Sequence, residues 1–506
     1  MTNIYQIVKD SANQYPNHLA LIFKEHQIQY DKMNEATNRL AHGFKKIGLV
    51  EKDRMAIMLP NVPHFPISYY ALLQIGVTVV PIPIHFKSEE IKRCLVDSQV
   101  RGIVFWEKLR SQVHPAVQEI KRCEKLIVLG DKVESREHRL TYLIEISEPF
   151  DVVYENEADD TAIIAYTSGT TGPSQGVELT HQNILANVDS CCELFKINPE
   201  DRVLGVLPFS HLFGQTLVMN SFLSAGATII LMTNLEAAFI LKMIEKETPN
   251  YFVGIPSLFE EMLNVNQADQ YNLQSLRFCL SVAGALRQVT MDAFEKKFNV
   301  SILEGYGLTE ASPMVSFNRA STERKAGSIG LPMQGIEMKI VDDKNVEIRP
   351  GEIGEIVIQG PNVMKGYLNQ PEKTNQVIEN GWLHTGDLAL LKDNGFGFIT
   401  EQKRNIIVKG GFHIYPNEIE TLLYQHVKIE DAVVIGVSDG DKEEKIHAYI
   451  LLKKEEQATA EEIIQYCSEH MPAYKCPQVI HFVSVFPTGP TGRIIRNKIE
   501  QFIIQD

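Results

Sequence analysis

The stretch Tyr166-Thr-Ser-Gly-Thr-Thr-Gly172 crowds short hydroxyl side chains (Thr167, Ser168, Thr170, Thr171) against Gly169 and Gly172. Glycine admits turns barred to other residues and lets main-chain N–H groups approach an anion closely; Thr and Ser add donors with little bulk. That combination suits a polyphosphate. The spacing is not the G-x-x-x-x-G-K-[ST] of the Walker loop, and a Gly/Ser/Thr run alone reads equally well as a polar turn. Gly176 and a helix start after Thr180 tilt it toward a phosphate loop. In Gly305-Tyr-Gly-Leu-Thr-Glu310, Tyr306 lies between Gly305 and Gly307, as an aromatic that stacks on a base would. Thr309 and Glu310 follow, able to reach phosphate and Mg²⁺, a hard cation that prefers oxygen ligands. In Gly381-Trp-Leu-His-Thr-Gly-Asp387 the carboxylate at the end of a turn is suited to accept both hydroxyls of a ribose; the plain alternative is an Asx-type turn.

The elements that must hold these motifs alternate. Residues 4–12 and 31–47 read as helices around a hairpin-like segment, 19–30. Strand patterns at 54–59, 77–82, 161–166, 202–207, 228–232 and 251–254 alternate with helical ones at 66–74 and 182–195, which predicts an α/β unit with mostly parallel sheets. After about residue 325 the texture changes to short strands (338–341, 354–359, 396–399) between Gly, Pro and Asp turns, as in a barrel-like region. Residues 401–405 are charged and polar and read as a linker. Beyond them helices at 416–426 and 460–470 and strands at 432–436, 447–452 and 479–483 predict a small α+β domain.

The 506 residues are too many for one ordinary core. With 49 basic and 64 acidic side chains, the net charge of −15 disfavours nucleic acid and gives no attraction to an anionic membrane. The polar N-terminus lacks a signal-peptide core and no run is long enough for a transmembrane helix. Seven cysteines without a CxxC pair predict reduced thiols and a cytoplasmic protein.

Together the three motifs resemble those of the adenylate-forming superfamily, which includes acyl-CoA synthetases, firefly luciferase and peptide-synthetase adenylation domains. Further matches fall in the expected order at Pro208-Phe-Ser-His211, Ser281-Val-Ala-Gly-Ala-Leu286, Lys409-Gly-Gly-Phe-His-Ile-Tyr-Pro-Asn-Glu-Ile-Glu420, Tyr474-Lys-Cys-Pro477 and Pro487-Thr-Gly-Pro-Thr-Gly-Arg-Ile-Ile-Arg496, so the resemblance spans nearly the whole chain. It implies a large N-terminal domain, residues 1–402, made of two α/β subdomains and a distorted β-barrel. A small mobile α+β domain, residues 403–506, would follow a hinge at Lys403–Arg404.

The resemblance also implies roles. Residues 167–172 would hold the β- and γ-phosphates of ATP, Thr309 the α-phosphate and Glu310 the Mg²⁺. Tyr306 would stack on adenine beside the Gly284–Ala285 backbone, and Asp387 would bind the ribose. His211 would stand at the mouth of the acyl pocket, with residues 213–219 and 251–259 as its apolar wall. Lys409, Gly410 and Gly411 would line the thiol tunnel. The chemistry would be attack of a carboxylate on the α-phosphate, then attack of a thiol on the acyl-adenylate. The expected acid is a fatty or aryl acid, because Phe209-Ser-His211 lacks the Asp that amino-acid-activating relatives use. The acceptor is coenzyme A or the phosphopantetheine of an acyl carrier protein acting in trans, since no carrier domain is fused to either end. A homodimer is compatible with this reading.

Three positions depart from the family pattern. Gln175 stands where the phosphate loop usually has Lys, Glu401–Gln402 where Gly-Arg opens the hinge, and Arg493 where Lys catalyses adenylation. Arg493 keeps the charge on a wider planar group. Two expectations follow: an enzyme that still adenylates through Arg493, or a homologue impaired in that step that binds nucleotide or acyl-adenylate.

Overall fold

Strands that are apolar on both faces must be covered on both faces, and this drives most of the chain into two parallel sheets flanked by helices. The computed structural model describes residues 3–167, 174–320, 324–392, 396–409, 412–438, 444–488 and 494–499. Contacts divide the chain into two units. The first comprises Met1–Thr167, Ser174–Glu337 and Ile358–Leu383; the second includes Met338–Val357 and His384–Asp506.

In the first unit, strands Thr161–Tyr166, Thr78–Pro81, Arg54–Met58, Gly102–Trp106, Lys125–Leu129 and Glu137–Arg139 pair in parallel in that order. Their core contains Met58, Val80, Ile103, Phe105 and Ile164. A second sheet pairs Leu19–Phe23, Thr228–Leu231, Arg202–Gly205, Tyr251–Gly254, Phe278–Ser281 and Ile302–Gly307 in parallel, over a core that includes Leu204, Phe252, Phe259, Phe294 and Ile302.

Both sheets end in the same way. The last parallel strand of the first, Thr161–Tyr166, turns back into Gly176–Thr180, which pairs antiparallel with Gly366–Tyr367. The last of the second, Ile302–Gly307, turns back into Met314–Phe317, which pairs antiparallel with Leu331–Pro332. Thr167 and Ser174 flank the first reversal and the Thr309–Glu310 turn lies in the second; both follow the carboxyl ends of parallel strands, where open α/β sheets bind ligands.

Helix His181–Phe195 joins the two edges. Thr180 caps it in a capping box with Asn183. Asn183, Asn187 and Ser190, spaced to share one helix face, are all buried. Asn183 donates to the Pro361 carbonyl (2.7 Å), and Ser190 to that of Gln334 (2.9 Å). Asn187 donates to the Met314 carbonyl (2.8 Å) and accepts from its N–H (3.1 Å).

In the second unit, strands Glu337–Val341, Ile353–Gln359, Trp382–Leu391 and Gly397–Gln402 share a sheet; among the described residues its ladders form an open order rather than a closed barrel. Residues 401–405 do not form a linker. Glu401 and Gln402 complete the strand, opposite Leu388 and Asp387, and only Lys403–Asn405 turn, in a short 3-10 segment. Glu401 is buried because its carboxylate accepts from the N–H groups of Gln402 (2.8 Å) and Asn417 (3.2 Å) and from the Asn405 amide (2.9 Å). A charge satisfied in this way looks in sequence like solvated polarity.

The rest of this unit follows expectation. Helix Pro416–Leu423, with Pro at its first turn, and helix Ala460–His470 pack with strands Ile429–Ser438, Glu444–Leu452 and Val479–Phe482 around Ile419, Leu423, Val434, Ile446 and Ile463. All seven cysteines are free, and six are buried. Burial pushes the thiols of Cys94, Cys123, Cys192 and Cys467 up to about 12. No helix of the described residues is long and apolar enough to cross a membrane.

The glycines around Tyr306 have a packing cause. A Cβ on Gly307 would lie 2.1 Å from the Pro313 carbonyl oxygen, and one on Gly305 would lie 2.1 Å from the Phe317 ring. Gly307→Ala forces a backbone shift in the hairpin. It should cost at least about 1–3 kcal/mol, the usual penalty of overpacking, read as a lower thermal midpoint; an unchanged midpoint would mean the hairpin gives way freely.

Candidate active site

The base of the hydroxyl-rich loop is closed by backbone. Tyr166 pairs with Gly176 across the two strands. Beyond them the Thr167 N–H donates to the Gln175 carbonyl (3.0 Å), and the Gln175 N–H donates to the Thr167 hydroxyl (3.0 Å). Ser174 donates to the Thr167 carbonyl. Thr167, through its main chain and hydroxyl, and Gln175, through its main chain, therefore form the neck of the loop without using the Gln175 side chain. Ser168, Gly169, Thr170, Thr171 and Gly172 lie outside the described residues.

Gly284 and Ala285 sit in the loop after strand Phe278–Ser281, preceded by Ala283 at φ +67°. One buried carboxylate holds this loop. Glu304 accepts from the N–H of Leu286 (2.8 Å) through one oxygen and from that of Gly327 (2.7 Å) through the other. With 3% of its surface exposed and no cation bonded to it among the described residues, Glu304 is pushed up to about 7 by burial. Tyr306 is buried in the same strand, opposite Ser316.

Thr309 and Glu310 begin a 3-10 turn that packs beside strand Gly176–Thr180. Glu310 is held at both ends: its carbonyl accepts from the Met364 N–H (2.8 Å), and its Oε1 accepts from the Tyr367 hydroxyl (2.9 Å). A half-buried carboxylate beside a phosphate-type loop has the donor chemistry that Mg²⁺ takes.

His211 is half-buried and stacks on Phe213, with ring centroids 5.6 Å apart and planes 7° apart. Its Nδ1 accepts a long hydrogen bond from the Phe213 N–H (3.4 Å), which puts the ring proton of the neutral tautomer on Nε2. The following residues, Phe213–Asn220, form a π-helix, a rare form that recurs at functional sites. Residues 213–219 are all buried, Gln215 and Thr216 among them. Tyr251 instead packs as core, its ring against Phe222 and Phe278 and its hydroxyl on the Phe195 carbonyl (2.7 Å).

In the second unit, Asp387 is buried opposite Gln402, whose amide donates to Asp387 Oδ1 (2.9 Å). Glu355 supports the turn before it, accepting from the Gly386 N–H (2.9 Å), with His384 Nδ1 at 3.2 Å. Lys403 pairs with Asp343 (3.0 Å) and Glu355 (3.5 Å). Arg404 lies in the 3-10 turn Lys403–Asn405, and Lys409 ends strand Ile407–Lys409. Gly410, Gly411 and Arg493 lie outside the described residues, but the ends of segment 489–493 are pinned. Thr488 bridges Ile494, and the Ile495 N–H donates to the Pro487 carbonyl (2.7 Å). Arg496 donates both guanidinium arms to the buried Glu420 (2.7 and 2.8 Å) and one to the Val434 carbonyl (2.8 Å).

Sequence reasoning did not single out Tyr367, Glu304, Glu355 or the Glu420–Arg496 pair. Glu304 directly precedes Gly305, and a carboxylate inside an apolar strand pattern is a readable signal. Tyr367 and Glu355 carry none, because their partners are distant in sequence.

Residues 8–368 match the family described as AMP-binding enzyme, and residues 418–493 match the AMP-binding enzyme C-terminal domain. A long-chain-fatty-acid–CoA ligase of Bacillus subtilis is 34% identical to this chain, covering 98% of it and 94% of the ligase. A benzoate CoA ligase structure from Burkholderia xenovorans matches with TM-score 0.88 at 25% identity, over 99% of this chain and 100% of that one. The fatty acyl CoA synthetase of Mycobacterium tuberculosis matches with TM-score 0.81 at 25% identity, over 99% and 98%.

The raised Glu304 makes stability depend on pH. The folded state keeps the proton more tightly than the unfolded chain, whose carboxyl titrates near ~4.3. The stability from this group is present below that value and is lost as pH rises to about 7. The amide of Glu304→Gln does not titrate but leaves one backbone N–H mismatched. The advantage of wild type over the variant should therefore shrink by about 3 kcal/mol between pH 4 and pH 8. Urea unfolding at both pH values checks this; a constant difference would contradict it.

Proposed function

The chain belongs to the AMP-binding enzyme family, and we propose that it joins a long-chain fatty acid to coenzyme A at the expense of ATP. It is an AMP-forming acid–thiol ligase. The observation that carries the fatty-acid reading is the 34% identity to a long-chain-fatty-acid–CoA ligase over nearly the full length of both chains.

The reaction has two steps. The fatty carboxylate attacks the α-phosphorus and pyrophosphate leaves; the thiolate sulfur of coenzyme A then attacks the acyl carbon and AMP leaves. Neither step needs an enzyme nucleophile, so the side chains align and neutralise. The loop at residues 167–172 holds the β- and γ-phosphates and Thr309 the α-phosphate. Tyr306 and the Gly284–Ala285 backbone take adenine, and Asp387 takes the ribose hydroxyls. Glu310 would hold Mg²⁺, which when bound offsets the charge of the phosphates. His211 stands where acid and thiol meet, and Lys409, Gly410 and Gly411 flank the path of the thiol.

The three departures from the family pattern differ in weight. The Gln175 main chain pairs with the main chain and hydroxyl of Thr167 at the base of the loop, so an uncharged side chain at Gln175 leaves that closure in place. Gln402 satisfies Asp387 with an amide instead of a guanidinium. Arg493 carries the cationic role through paired N–H donors that bridge carboxylate and phosphate. We place the domain boundary at 402/403, with Lys403–Arg404 as the hinge of a mobile C-terminal domain. Seven free cysteines fit a reducing, cytoplasmic setting.

A panel of acids with ATP, read as pyrophosphate release and then as thioester, tests the reading. Long-chain acids with coenzyme A should give the highest kcat/KM. Preference for benzoate-like acids would move the substrate to the aryl class, and transfer only to a carrier protein would change the acceptor. Asp387→Ala should weaken ATP binding by about 1.5–3 kcal/mol, roughly 10- to 150-fold; unchanged affinity by calorimetry would remove the ribose assignment. Arg493→Ala should slow single-turnover adenylation by about 10²–10³-fold and spare thioester formation from supplied acyl-adenylate, while Arg493→Lys preserves both. Equal loss of the two half-reactions in Arg493→Ala would defeat the assignment.

A further inference from the structure

From the geometry around Glu310 we infer that Tyr367 is a positioning residue for the metal: its hydroxyl orients the Glu310 carboxylate and ties it to the base of the phosphate loop. This rests on the reading of Glu310 as the Mg²⁺ ligand and goes beyond it, because Tyr367 touches neither nucleotide nor acid in that reading.

Tyr367 belongs to two structures at once. Its main chain lies in strand Gly366–Tyr367, with Tyr367 opposite Val177, two residues past Gln175 at the loop neck. The neighbouring N–H groups extend that pairing: Lys365 donates to the Glu178 carbonyl (3.0 Å) and Leu368 to that of Gly176 (2.8 Å). Its side chain crosses to the metal turn and donates to Glu310 Oε1 at 2.9 Å. A displacement of the loop neck is thus carried to the carboxylate through one rigid ring.

The ring itself is fixed. The Tyr367 N–H donates to Thr374 Oγ1 (2.9 Å), which donates in turn to the Gln370 carbonyl (2.9 Å). Lys373 Nζ lies 5.3 Å from the ring centroid, where a cation is attracted to the face of an aromatic. The turn is held from the same segment. Met364 donates to the Glu310 carbonyl, and the buried Asn362 donates to the carbonyls of Ala311 (2.9 Å) and Met314 (3.1 Å). With the backbone of Glu310 immobile, the remaining freedom is rotation of its side chain, and the phenol hydrogen bond restrains that. Groups that orient a metal-ligating carboxylate in this way typically contribute about 10–100-fold to metal affinity.

Tyr367→Phe removes the donor and keeps the ring, the Lys373 contact and every backbone bond. In the full-length protein with ATP and no acid, Mn²⁺ affinity followed by electron paramagnetic resonance should fall by about 10–100-fold, while ATP binding in EDTA stays at the wild-type value. The Mg²⁺ concentration giving half-maximal adenylation should rise by the same factor, with kcat recovered at saturating Mg²⁺. Glu310→Gln should weaken Mn²⁺ at least as much, and the double variant no further. Thr374→Val, which loosens the strand without touching the phenol, should leave Mn²⁺ affinity unchanged. Wild-type Mn²⁺ affinity in Tyr367→Phe together with a weakened Glu310→Gln overturns the positioning role. An equal loss in Thr374→Val also overturns it, by reducing Tyr367 to a packing element. Wild-type Mn²⁺ affinity in Glu310→Gln overturns the metal reading of Glu310 instead.

Discussion

Two parallel sheets come together in the first unit at the edges where each has turned antiparallel, and such edges expose backbone amides and carbonyls. An apolar seam there would strand those groups at about 1–3 kcal/mol each. The chain meets the constraint with short polar side chains in buried positions. Asn187 pairs with both backbone groups of Met314, as a neighbouring strand would. Asn183 and Ser190 take the carbonyls of Pro361 and Gln334, and Asn362 takes that of Ala311 and shares that of Met314. The hydroxyl-rich loop neck and the Glu310 turn both emerge from this junction, so their mutual geometry depends on amide side chains and not on oily packing.

The same economy appears in the handling of charge. Glu304, Glu401, Glu355 and Glu420 are all buried carboxylates, yet only Glu420 has a bidentate guanidinium partner. Glu304 is met by two backbone N–H groups, and Glu401 by two with an amide side chain. Backbone donors cannot move away as a lysine does, so a loop fixed by a buried carboxylate keeps its shape when ligands come and go. Burial without a cation also leaves the protonation of Glu304 open near neutrality, whereas Glu420, locked to Arg496, anchors the residues that follow position 493.

Much of this was legible in the sequence because the governing signals are local. Apolar runs of four to six residues between turn residues marked the parallel strands, and Thr180 marked a helix start. The hydroxyl-rich run, the Tyr306 motif and Asp387 stood out as candidates because residue type and spacing both carry signal there. Legibility failed where an interaction joins residues far apart in sequence. Tyr367 looks like any strand tyrosine until Glu310, 57 positions earlier, is seen beside it. Residues 401–405 read as a linker because polarity in sequence does not distinguish a solvated charge from one enclosed by N–H donors. The glycines around Tyr306 were assigned to a ligand, when the Phe317 ring and the Pro313 carbonyl already forbid a side chain at either position.

The seven free thiols have a consequence of a different kind. An acyl-adenylate is an electrophile that any accessible thiolate consumes, and an enzyme that makes one is exposed to its own product. Here burial keeps each sulfur in the protonated form: the thiols of Cys94, Cys123, Cys192 and Cys467 are pushed up to about 12, and those of Cys191, Cys279 and Cys476 are raised as well. Raised thiols suppress self-acylation by chemistry, because the thiolate is the reactive form of cysteine. A cysteine introduced on the surface would lack the burial that raises the native thiols, and so would be the more reactive position for a spectroscopic label.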